Sequence, residues 1–84
     1  MARIYAENSL TVYLYRPPRE HPPPHVHVES TNGGEVLIKL GTTTEAPSIW
    51  SVHGMRKAEV ARALRMVEAR QEKFLAEWRY RHGS

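Results

Sequence analysis

Through residue 40 the apolar side chains recur at every second position. Leu10, Val12 and Leu14 alternate with Thr11, Tyr13 and Tyr15, the period that turns one face of a strand toward a core and the other away from it. Residues 3–6 form the hairpin partner of this strand across Glu7-Asn8-Ser9, which are turn-tolerant residues. Strict alternation returns in His25-Val26-His27-Val28-Glu29 and again over 35–40, where Val36, Ile38 and Leu40 share a face. Ser30-Thr-Asn-Gly-Gly between them is a strong turn signal, so 25–40 reads as a second hairpin. After residue 55 the period changes. Val60, Leu64, Val67, Phe74, Leu75 and Trp78 fall on about one third of a helical wheel, with Glu59, Arg62, Arg65, Glu68, Glu72, Lys73 and Glu77 opposite. Lys73 with Glu77, and Glu77 with Arg81, have the spacing of helical ion pairs.

These patterns predict an α+β fold in one domain, 1–84: a three- or four-stranded, mostly antiparallel sheet over 3–40, a connection over 41–54, and a C-terminal amphipathic helix over about 56–80 packed on one face. Ile49, Trp50 and Val52 make a short edge strand or lid within the connection. The helix would be roughly 38 Å long at its usual rise, against about 17–20 Å for an ordinary strand. It therefore overhangs the sheet, leaving Trp78 and Tyr80 in need of a partner, or it breaks near Ala69-Arg70-Gln71. Five of the six prolines lie between residues 17 and 24. They make this stretch an extended spacer outside any central ladder, with one Xaa-Pro bond a candidate for the cis form.

Side chains two apart on a strand share a face. The helix-covered face is expected to carry Val12, Leu14, Val26, Val28, Val36, Ile38 and Leu40. The other carries Tyr13, Tyr15, His25, His27, Glu29, Leu37 and Lys39, with Tyr5 beside them. A plain solvent-facing sheet would show Lys, Glu and Thr instead of rings, and this choice is the main functional clue.

Three chemistries fit the histidines. His21, His25, His27 and Glu29 are a candidate ligand set for zinc or another divalent metal, with His25 and His27 projecting to one side. His25 and His27 are alternatively an acid and a base for metal-independent cleavage of RNA, with Tyr13 and Lys39 positioning the phosphate and His21 as a gate. The chain has no Asp, so Glu29 would have to orient the base. The bland reading is structural: imidazoles hydrogen-bonded to backbone and tyrosine hydroxyls, needing no cofactor. His53 reads as a loop residue and His82 as a terminal one.

Composition narrows the classes. The 84 residues, 40% hydrophobic and 25% charged, build one small core and exclude a multidomain enzyme with its own cofactor domain. No apolar run is long enough to span a membrane. The first ten residues are unlike a secretory signal and cysteine is absent, which points to a reducing cytosol. Residues 1–50 hold four basic and five acidic groups, and 51–84 hold eight and four. That surplus permits contact with RNA, but an ordinary solvated helix face explains it as well.

The run Glu20-His-Pro-Pro-Pro-His-Val-His-Val-Glu29 resembles the signature of a small bacterial family of unknown function, acidic-His-Pro-Pro-Pro-His-Val-His-Val. The likeness continues through Val12-Tyr-Leu-Tyr15, Asn32-Gly-Gly-Glu-Val-Leu-Ile-Lys-Leu40, Met66-Val-Glu68 and Ala76-Glu-Trp78, and covers essentially the whole chain. The resemblance implies a product of a two-gene module of the toxin–antitoxin kind, with a small cognate protein from the neighbouring gene as partner. It assigns no catalytic residue, and a homo-oligomer is compatible with it. The family often begins its helix with Ser and an acidic residue three positions on. Arg56 stands where that Ser would be, so the capping box is lost.

Overall fold

A computed structural model of the chain describes residues 2–15 and 22–82. His21, expected as a gate or metal ligand, and residues 16–20 lie outside the described residues. Five strands follow in chain order: β1 (Ala2–Glu7), β2 (Leu10–Leu14), β3 (His25–Ser30), β4 (Glu35–Lys39) and β5 (Ser48–His53). Two helices, α1 (Lys57–Ala69) and α2 (Gln71–His82), complete the domain. The sheet is an antiparallel meander in the order β1-β2-β3-β4-β5.

The two hairpins form where the alternation places them. Asn8 turns β1 into β2 with φ of 54°, a left-handed conformation that Asn tolerates better than most residues. Gly34 turns β3 into β4 with φ of 96°, and a Cβ there would meet the Gly54 carbonyl at 2.5 Å. Only glycine allows that approach. Val12, Leu14, Val26, Val28, Val36, Ile38 and Leu40 are all buried on the helical side, joined by Leu10 and, from the helices, Ala63, Met66, Val67, Phe74 and Trp78.

The sheet has five strands rather than three or four. Ile49 pairs with Ile38 and Ser51 with Leu37, so Trp50 is an extra residue bulged between them. The edge strand expected as one alternative at Ile49, Trp50 and Val52 is present, and the bulge breaks its two-residue period, which is why the pattern alone left a lid as the other alternative. A second irregularity, between Arg3 and Tyr5 in β1, puts Tyr5 opposite Val12. Tyr5 therefore lies on the helical face and not with the outer rings. Its ring lies 6.0 Å from Phe74 and 4.5 Å from the Arg70 guanidinium, and its hydroxyl donates to Glu7 at 2.7 Å. That bond to Glu7, followed by burial, raises its pKa above the ordinary phenolic value.

The predicted single helix is two, with the break at Arg70. Gln71 opens α2 with its side chain spent on the β4–β5 connection. Its Oε1 accepts from the Gly41 N–H at 2.6 Å, and its Nε2 donates to the Thr42 and Glu45 carbonyls at 3.1 Å. Arg70 pairs with Glu7 at 3.1 Å. The break is thus held from both sides without Gly or Pro in the helix. Farther along, Glu77 and Arg81 make the expected ion pair.

Glu59 departs most from its expected position. It falls on the charged side of the wheel, yet it is buried. The Arg56 side chain makes no cap at the start of α1, and Glu59 instead reaches across to both hairpin turns. Its Oε2 accepts from Ser30 at 2.7 Å, Asn32 at 3.0 Å and Ser9 at 3.3 Å, and from Arg62 of its own helix at 3.3 Å. Its Oε1 has no partner among the described residues. The bonds from Ser30 and Asn32, helped by Ser9 and the Arg56 charge, outweigh burial and hold the carboxyl below its usual pKa.

Two predictions follow from this packing. Phe74 is fully enclosed, and Phe74→Ala should cost about 3–5 kcal/mol in urea unfolding, a large part of the stability of a small domain. For Glu59, the unfolded chain binds the proton first as pH falls. Its stabilising contribution is therefore complete above the ordinary glutamate pKa of about 4.3 and is lost as pH drops through the lower native value. Glu59→Gln should lower the unfolding midpoint at neutral pH, and the gap to wild type should close in acid. A constant gap across the titration would show that the charge is not what matters.

Candidate outer-face site

The face away from the helices is built by the register of the three central strands. His27 lies directly across from Tyr13 on β2 and from Leu37 on β4, and Leu37 lies across from Ser51 on β5. A parallel row joins Thr11, Glu29, Glu35 and His53, and His25 opposes Lys39. His53, expected in a loop, ends a strand instead.

His25 and His27 come together as their spacing requires, with ring centroids 5.4 Å apart. Their surroundings differ. His27 keeps 13% of its side chain exposed, and its Nδ1–H donates to Glu35 Oε2 at 3.2 Å. The Tyr15 ring meets it edge-on at 4.7 Å. His25 is only 3% exposed. Its Nδ1–H donates to the Pro23 carbonyl at 3.0 Å, just after the cis Pro22-Pro23 peptide. Its ring packs against two indoles, 4.9 Å from Trp50 and 5.2 Å from Trp78.

The acidic partner of His27 is Glu35, where Glu29 was expected. Glu29 stands directly across from Glu35, while Glu35 is the diagonal cross-strand neighbour of His27, within reach of a long side chain. The four-residue turn between the hairpin strands contains this information: once 29 pairs with 35, 27 must pair with 37. His25, His27 and Glu29 do not gather into a cage. Among the described residues no group of three His, Cys, Asp or Glu is placed to hold one ion.

Trp50, Trp78 and His82 join the site without having been placed there by pattern. The extra position in β5 directs Trp50 onto the outer face beside His25, where it stays 49% exposed. Trp78 finds its partner within the chain. His82 stacks on it at 3.6 Å and 7°, and the His82 Nε2 lies 3.2 Å from the Tyr15 carbonyl, to which it donates. The last turns of α2 thus close the Tyr15–His25 end of the sheet. Tyr80 remains 84% exposed. Lys39 is exposed and Tyr13 half-buried.

The outer face therefore offers a partly exposed imidazole, His27, with a carboxylate behind it, an exposed His53 at its β5 edge, an exposed indole braced by a buried imidazole, and two tyrosines. Among the described residues its charged members are Arg3 and Lys39 against Glu29 and Glu35. His25→Ala should cost about 1–3 kcal/mol of stability, as expected when a packed, hydrogen-bonded ring is removed. His27→Ala should stay within about 1 kcal/mol of wild type. Urea melts of the two variants check the order.

Residues 10–79 match the family model described as a domain of unknown function, DUF4160. The chain belongs to that family. No curated protein matches it, and no solved structure does. Among the described residues no helix is long and apolar enough to cross a membrane.

Proposed function

We propose that this protein is a non-enzymatic binding member of a two-gene, toxin–antitoxin-like module in the bacterial cytosol. Its outer sheet face receives the small protein encoded beside it. The burial of His25 carries this reading. An imidazole that is 3% exposed and packed against Trp50 and Trp78 serves as a rigid floor for the exposed indole, and rigid aromatics backed by packed side chains are what protein interfaces use as anchors. Among the described residues the face carries as many acidic as basic groups, which favours a protein over RNA, because RNA grooves track phosphates with a cationic surplus. The module itself is supported by the resemblance carried by the His-Pro-Pro-Pro-His-Val-His-Val run.

The second reading is a metal-independent ribonuclease, favoured by one observation: the 3.2 Å bond that His27 donates to Glu35, the pairing that orients a general base. His25 would then serve as the second proton carrier, with Tyr13 and Lys39 holding the phosphate.

Calorimetric titration with the product of the neighbouring gene separates the two. Wild type should bind, and Trp50→Ala and Tyr13→Ala should each weaken binding by at least about tenfold, as loss of an interface aromatic does. Unchanged affinity in both variants overturns the assignment to this face. Cleavage of RNA that resists EDTA and disappears in His27→Ala overturns the non-enzymatic reading. Stoichiometric zinc in the purified protein, lost in His27→Ala, overturns it in favour of a metal site.

A further inference from the structure

The other uncovered surface lies on the opposite side of β5. Ile49 and Val52 share a face with the core residues Ile38 and Val36, yet both are 44% exposed. With Val60, Ala61 and Leu64 of α1 they line an apolar groove of about 510 Å³, with Lys57 at one end. Beside the groove β5 presents a strand edge that pairs with no other strand among the described residues. Proteins usually protect such edges with Lys, Glu or Pro. The segment Ser48–His53 contains none of these.

We infer that this surface binds a second copy of the same chain, with β5 pairing antiparallel to β5 and α1 lying antiparallel to α1 about one two-fold axis. The inference goes beyond the proposed function, and of the outer-face rings described above only Trp50, itself a β5 residue, lies in the proposed ladder. Its basis is that both elements are self-complementary. Antiparallel pairing centred between Trp50 and Ser51 sets Ile49 against Val52 of the second copy, and Val52 against its Ile49. Both side chains are on the helical face, so the pair extends the groove into a closed apolar contact. On α1, Lys57, Ala61, Leu64 and Glu68 lie within about 60° of the wheel, at positions i, i+4, i+7 and i+11. They form a stripe flanking the buried face, with Lys57, Ala61 and Glu68 exposed and Leu64 half-buried. Reversing this stripe about its centre sets Ala61 against Leu64 and Lys57 against Glu68 of the other copy.

The charge complementarity names the occupant. A basic end and an acidic end flanking a small and a large apolar residue fit their own inverted image. The stripe runs about 16 Å along α1, and six strand residues span about 20 Å. One axis can therefore serve both layers, giving a continuous ten-stranded sheet with paired helices on one side.

Sedimentation and light scattering across concentration test this on the full chain. The expected mass is twice the 9.7 kDa of the protomer. Ala61→Arg, a surface change on a helix, should yield a monomer with an unchanged circular dichroism spectrum. Lys57→Glu and Glu68→Lys should each raise the dimer dissociation constant by about tenfold or more, and the double variant should recover wild-type association, the signature of a direct pair. A wild-type chain that stays monomeric to about 1 mM overturns the proposal and leaves the edge to another protein. A dimer indifferent to all four variants overturns it as well. None of these substitutions touches Tyr13, His27 or Trp50, so partner binding measured on the Ala61→Arg monomer reports on the outer face independently.

Discussion

The pleat of β3 is the constraint on which the rest of the molecule depends. This strand is central, with β2 and β4 paired on either side, and its side chains alternate without interruption. Val26 and Val28 must enter the apolar layer, so His25 and His27 must leave it on the other side. A shift of one residue would bury two imidazoles under the helices and expose two valines. The hydrophobic cost of that slip pins the register, and the register in turn fixes which tyrosine, leucine and glutamate each imidazole meets. The outer face is thus a by-product of the core's own requirement.

Closing the helical layer over such a sheet takes polar ties as well as apolar contact. Glu59 ties α1 to both hairpin turns at one end, and Gln71 ties α2 to the β4–β5 connection at the break. Arg70, between them, reaches Glu7 and the Tyr5 ring. A straight helix would have run past the sheet. The break lets α2 turn so that Phe74 fills the core and Trp78 reaches the end of β3. There Trp78 meets His25, and His82 clasps the Tyr15 backbone. The two indoles that meet His25 come from different layers of the fold, Trp50 from the edge strand and Trp78 from the last helix.

This arrangement separates two histidines that look equivalent. Both sit on one face of one strand, two residues apart. His27 is mid-strand and meets solvent, Tyr15 and Glu35. His25 begins the strand, where the helix end and the β5 bulge converge, and it is enclosed. The same bulge that encloses His25 exposes Trp50 and leaves Ile49 and Val52 on the other side of β5 only partly covered. One inserted residue thus shapes both uncovered surfaces of the protein.

The alternating valines, the Gly-Gly turn and the helical stripe were legible directly, because period and turn chemistry are local properties of the chain. They suffice to give the two hairpins, the core face, the outward pair His25 and His27, and the choice between an overhanging helix and a broken one. The choice of a paired fifth strand over a lid at 48–53, the inward turn of Tyr5, the burial of Glu59 and the pairing of Glu35 with His27 were not. The first two depend on bulges, which add a residue without announcing it in the period. The last two depend on how far a side chain must reach once strands and helix are in place. Which imidazole meets water was settled only by packing, since burial is a property of neighbours brought together from distant parts of the chain.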